Sequence, residues 1–153
     1  MESLPYLERV KIQSEILLPL YRRLRDELGG ERAAELLRAS VREYASALGK
    51  SVADNEQGTS LDKMRSLMPS FAAGGALEIE PIADNATELL INVRRCGYAE
   101  YFRSLGEPEF GAMLTCEIDP PITQAIGDDL SLQRTQTIMS GGDHCDFRWK
   151  LSD

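Results

Sequence analysis

The sequence predicts an α+β fold, with N-terminal helices packed on a roughly four-stranded antiparallel sheet and short helices between two hairpins. Two observations carry that expectation. Apolar residues recur at helical spacing through residues 1–71, then switch to alternation after Phe71. The order is then helices, hairpin, helices, hairpin, which suits an antiparallel sheet covered on one face. A chain of 153 residues reads as a single domain, with a helical half (1–71) and a sheet-containing half (72–153) that holds the site.

The first helix is expected from Leu4 to Leu28, where Val10, Leu17, Tyr21, Leu24 and Leu28 share one face. Pro19 lacks a backbone donor, so it should kink this helix or start a second one. Gly29-Gly30 ends the run, and a helix from Glu31 to about Asp54 carries Ala33, Leu37, Ser40, Val41, Tyr44, Leu48 and Val52 on one stripe. After Gly58, Thr59 or Ser60 caps a short helix through Leu67, ahead of Pro69. Leu77 to Glu80 alternates as a half-buried strand does, Asp84-Asn85 marks a turn, and Thr87 to Arg95 returns with Leu89, Ile91 and Val93 facing one way. Helical pieces follow at Ala99–Leu105, at Pro108–Leu114 and after Pro120-Pro121. A third strand is expected from Leu130 to Ile138, a turn at Ser140–Asp143, and a fourth strand from Cys145 to Leu151.

Composition narrows the function. Hydrophobic residues make up 42% and charged residues 27%, an ordinary globular balance. Asp and Glu number 25 against 17 Lys and Arg, for a net charge of −8. Nucleic acid and anionic membranes select positive surfaces, so neither is expected as a partner. No apolar run approaches the ~20 residues of a membrane span, and no basic-then-apolar leader opens the chain. Three widely spaced cysteines do not suit a secreted disulfide scaffold. The expectation is a soluble, cytoplasmic protein. Its helical stripe suits subunit pairing as well as intrachain packing, which leaves a homo-oligomer open.

In the last strand, alternation puts Cys145, Phe147, Trp149 and Leu151 on one face and His144, Asp146, Arg148 and Lys150 on the other. Cys145 reads as core filler or as chemistry, Asp146 and Arg148 as a same-face ion pair, and His144 as a loop histidine. Cys96 ends a strand just before a helix, where unpaired amides and Arg94-Arg95 should lower its pKa and favour thiolate. It is the preferred nucleophile. Cys116 has a milder version of this setting before Asp119, and Glu100 is either a helix-end charge or a catalytic group. Cys96, Cys116 and Cys145 with His144 or a carboxylate could together supply four zinc ligands, but their spacing does not call for a metal, and no cofactor is expected.

The segments Cys96-Gly97-Tyr98-Ala99-Glu100, Leu105-Gly106-Glu107-Pro108-Glu109, Cys116 with Asp119, Arg134-Thr135-x-Thr137, and Gly141-x-x-x-Cys145-Asp146-Phe147 resemble the L-2-amino-thiazoline-4-carboxylic acid hydrolase family. Leu17–Tyr21 and the Gly29–Ala33 junction are compatible with it, so the likeness spans nearly the whole chain. A fainter likeness is to 4-vinyl reductase type domains, whose Gly-x-x-x-Cys-x-Phe ending belongs to a zinc site; Thr137 stands here where that pattern wants a cysteine.

The first resemblance implies hydrolysis at a cyclic amidine-like C–N bond, opening the 2-aminothiazoline ring to N-carbamoyl-L-cysteine. Glu100, Asp119 and Asp146 are the candidate acids and bases, and Cys96, then Cys145 and Cys116, the candidate thiols. Arg134 or Arg148 would fork the substrate carboxylate, with Tyr98, Thr135 and Thr137 adding contacts, the two threonines from one face of the third strand. A non-catalytic ligand sensor or carrier, zinc-bound or not, and a hydrolase of another amidine, imide or lactam are the alternatives.

Overall fold

The computed structural model describes residues 3–153; Met1 and Glu2, which open the expected helical half, lie outside them. Three long helices come first: α1 (Tyr6–Leu28), α2 (Gly30–Asn55) and α3 (Ser60–Ala72). One helix runs through Pro19. Its inner face buries Tyr6, Val10, Leu18 and Tyr21, so packing offsets the one missing backbone bond. Thr59 is the cap of α3. Its hydroxyl accepts the Asp62 amide at 3.1 Å while Asp62 accepts the Thr59 amide at 3.0 Å, a reciprocal capping box. This helix continues past Pro69 to Ala72, further than expected, because Phe71 is buried and its carbonyl accepts the Tyr98 hydroxyl at 2.8 Å.

A short 3-10 turn (Ala73–Gly75) leads to β1 (Leu77–Asp84) and β2 (Glu88–Cys96), an antiparallel hairpin. The strand β1 is longer than alternation suggested. It carries Pro81 on a sheet edge, where a missing amide donor is tolerated, and absorbs two register shifts. The helices α4 (Gly97–Ser104) and α5 (Pro108–Gly111), a π turn (Ala112–Cys116) and α6 (Asp119–Ile126) follow. The chain closes with β3 (Leu130–Gln133) and β4 (Cys145–Leu151). All four strands form one antiparallel sheet in the order β1-β2-β4-β3.

The second hairpin departs from expectation. The strand β3 stops at Gln133, paired with Arg148, and residues 134–144 form a connector rather than ladder. The reason is local: the Asp146 carboxylate accepts the amides of Thr135 and Gln136, both at 2.9 Å, and takes donors that a longer strand would pair. Thr135 and Thr137 are therefore loop residues.

Helices and sheet share one apolar interior, which includes Val10, Met64, Phe102, Ile122 and Trp149. Leu89, Ile91 and Val93 of β2 face it as the alternation required. Where α2 meets α6, a Cβ on Gly49 would stand 2.6 Å from the Ile122 carbonyl oxygen and 2.7 Å from the Ala125 Cβ. Gly49→Val is therefore expected to destabilise the fold by about 1–3 kcal/mol through overpacking, read as a lower urea midpoint at unchanged m.

Candidate functional site

Beneath the sheet's inner face is a hollow with about 70 Å³ of free space, lined by Cys96, Cys116, Cys145, Asp119, Arg134, Tyr98 and Thr137 among others. Residues from distant parts of the chain meet there, and the fold explains how the thiols are placed. Cys96 ends β2 and caps α4, and its sulfur accepts the Ala99 amide at 3.4 Å. The next residue must be small: a Cβ on Gly97 would lie 2.9 Å from Leu7 and 3.0 Å from the Ala76 carbonyl oxygen. The π turn, closed by the Glu117 amide on the Ala112 carbonyl at 2.9 Å, brings both Thr115 and Cys116 to the hollow. Cys145 is paired with Val93 across β2 and β4, and its sulfur accepts the Ile138 amide at 3.2 Å.

One charged pair interrupts the apolar wall. Arg134 Nη1 donates to Asp119 Oδ2 at 2.7 Å, with both side chains 15% exposed. Its Nη2 donates to the Cys116 carbonyl at 3.1 Å, and its guanidinium lies 5.2 Å from the centre of the Phe147 ring. Asp119 opens α6, and its carbonyl accepts the Thr123 hydroxyl, which accepts the Trp149 indole N–H at 3.1 Å. Burial pushes the Asp119 carboxyl up to about 6, against the pull of Arg134.

Burial also keeps the thiols protonated. It raises Cys96, outweighing the amides of Ala99 and Tyr98. The expectation of a thiolate at this helix end is therefore corrected: removal from water exceeds the help of the helix N-terminus. Cys145 is raised by burial in spite of the Ile138 amide, and Cys116, with no amide donor, is pushed up to about 12. Among the described residues no group of three or more His, Cys, Asp or Glu side chains is placed to hold a metal ion.

Several other expected site residues lie elsewhere. Glu100 is exposed and held by Arg95 at 2.8 Å. His144 meets Asp143 at 2.6 Å at the far end of the connector. Asp146 and Thr135 bond each other, with Thr135 Oγ1 donating at 2.5 Å. Arg148 braces β2 through the Ile91 carbonyl at 2.7 Å and Asn92 Oδ1 at 2.9 Å, so it does not face the hollow as a carboxylate fork. Tyr98 lines the hollow with its hydroxyl given to Phe71. The sequence reading missed the helical contribution: Tyr6, Met64, Met68 and Phe71 form part of the wall. The spacing of Met64, Met68 and Phe71 along one helix face was legible, but nothing in it separates a ligand wall from core.

This architecture, helices over one face of an antiparallel sheet with a hollow lined by an ion pair and three thiols, is of the α+β class. Residues 9–149 match the family described as L-2-amino-thiazoline-4-carboxylic acid hydrolase, nearly the whole chain, and the protein belongs to that family. None of the curated proteins matches it. Among solved structures, the phenol-responsive sensory domain of the transcription activator PoxR with phenol has a similar fold, with a TM-score of 0.55 and 17% identity over 88% of this chain and 72% of that one. No helix among the described residues is long and apolar enough to cross a membrane.

Asp146 supplies a test of the connector. Burial opposes its charge, but the bonds from Thr135 and Gln136 outweigh that and hold its carboxyl below the usual range. A depressed folded pKa stabilises above the unfolded value of about 4, and the gain is lost as pH falls through the folded value. Asp146→Asn should therefore cost about 1 kcal/mol at pH 7, after screening at this part-exposed site, and much less near pH 2, measured by urea unfolding at both pH values.

Proposed function

We propose that this protein hydrolyses a small cyclic amidine, with 2-amino-thiazoline-4-carboxylate as the best-supported substrate. The observation that carries the reading is the Asp119–Arg134 pair beside Cys96 in a mostly apolar hollow, in a chain of this family. Atom balance refines the chemistry. N-carbamoyl-L-cysteine keeps both nitrogens on its carbonyl carbon and carries a free thiol, so water adds at the ring carbon and the bond that breaks is C–S, not C–N.

The groups present suit that sequence of steps. Asp119, with a pKa near 6, is partly protonated at neutral pH and passes a proton to the ring nitrogen, making the carbon electrophilic. The carboxylate so formed takes the Cys96 proton as the sulfur attacks, then returns it to the departing ring sulfur. This leaves an isothiouronium on Cys96. Water, deprotonated by Asp119, displaces the Cys96 sulfur and gives the urea, with thiol and carboxylic acid restored. Cys96 is favoured over Cys116 because backbone amides face its sulfur and can support developing negative charge. Two of the five Arg134 donors are used by Asp119 and the Cys116 carbonyl, leaving others to fork the substrate carboxylate.

A second reading is ligand sensing. The mainly apolar wall of Tyr6, Met64, Phe71, Val93 and Trp149 would suit a neutral aromatic molecule, and the structurally similar domain is a phenol-responsive one. Saturable thermal stabilisation by phenol, with no thiol released from the thiazoline, would favour it.

Under the hydrolase reading, Cys96→Ala and Asp119→Asn each lower thiol release by at least about 100-fold while the far-ultraviolet circular dichroism stays native. Wild-type turnover in both variants would sink the mechanism. Because Asp119 must start protonated, kcat/KM falls about tenfold per pH unit above about 6. A rate that climbs through that range would instead make Asp119 a base from the outset.

A further inference from the structure

Outside the hollow lies a much larger groove of about 900 Å³, between α2, the π turn and the connector. The two cavities share Cys116, Arg134 and Thr137, so these side chains stand at the boundary and reach both spaces. These residues are the partition that a ligand reaching from one space to the other has to pass. The size difference bears on what binds: about 70 Å³ is under half of the roughly 150 Å³ that accommodates a benzene. As it stands the hollow is thus smaller than a ring needs, so a ring enters only as flexible lining side chains such as Met64 and Met68 give way, while the groove already has room for a substituent.

The groove is also locally positive, on a chain with net charge −8. Arg103 donates to the carbonyls of Ile138 and Met139, neutral partners that leave its charge uncancelled. Arg25 lies 3.7 Å from Glu107, a carboxylate that Arg22 already engages at 3.0 Å, so two guanidiniums share one counter-charge. Arg38 is balanced by Glu117 at 2.9 Å and Arg134 by Asp119 at 2.7 Å, and exposed Glu109 is a further acidic group in the lining, so the positive excess rests on Arg25 and Arg103.

We propose that this groove is an outer subsite for an acidic arm of the ligand whose ring occupies the hollow. The preferred ligand is then a cyclic amidine with an anionic extension, larger than the bare ring acid. Arg25 and Arg103 contact the arm, and Arg134 stands between arm and ring. The inference deepens the hydrolase reading by naming a wider substrate class for the same site, but binding alone can decide it.

The test compares 2-amino-thiazoline-4-carboxylate with its amide to glutamate, measuring Kd by calorimetry and thiol release in the same samples. The glutamyl probe should bind the wild-type protein about tenfold more tightly, with the preference collapsing toward unity in about 0.5 M salt. Arg25→Gln, which leaves the connector bonds of Arg103 in place, should reduce the preference severalfold, and Arg25→Gln with Arg103→Gln should erase it. Equal or weaker binding of the glutamyl probe overturns the subsite, as does a preference untouched by salt and by both variants. Preference without thiol release keeps the subsite and removes the hydrolase reading. Release from the bare acid with no preference does the reverse, and binding of neither probe overturns both.

Discussion

The ion pair between Asp119 and Arg134 governs the interior of this protein. Taking a carboxylate and a guanidinium out of water is costly, and removal of either leaves the other charge uncompensated among apolar side chains. Here the cost is offset by geometry: a 2.7 Å bond between them, a carbonyl at 3.1 Å from the π turn, and the Phe147 ring beside the guanidinium. These contacts join the start of α6, the end of β3, the π turn and β4, so the pair sets the shape of the hollow as well as its charge. Because desolvation outweighs the arginine, the Asp119 carboxyl is pushed up to about 6 while the thiols around it stay protonated.

The connector at 134–144 is held from both faces of one strand. Pleating sends Cys145 inward, where its sulfur accepts the Ile138 amide, and Asp146 outward, where its carboxylate accepts two amides and the Thr135 hydroxyl. Arg103 adds a guanidinium on the carbonyls of Ile138 and Met139. A loop with this many fixed backbone groups has few conformations left to lose on binding, which is how an irregular segment can offer Arg134 and Thr137 at constant positions.

Enzyme and sensor would use the same hollow for different ends. An apolar wall binds a flat ring by excluding water; a titrating carboxylate with a thiol beside it is needed only if bonds change. The mostly apolar lining serves either purpose, whereas the Asp119–Arg134 pair carries a desolvation cost that binding of a neutral aromatic does not require.

By itself the sequence determined the α+β class, most element positions, the inward set Cys145, Phe147 and Trp149, and the family, because periodicity and short-range motifs are local properties of the chain. It also singled out Cys96, Cys116, Asp119 and Arg134, residues from three separate stretches of the chain that line one hollow in the fold. Glu100, Asp146, His144 and Arg148 also stood among the candidates, each with a plain structural alternative, and only the fold directed them to Arg95, the connector, Asp143 and β2. The same holds for the early end of β3, the passage of α1 and α3 through prolines, and the neutral state of Cys96. Each depends on which groups come together from distant segments and how completely they lose water, and those long-range quantities are set by packing.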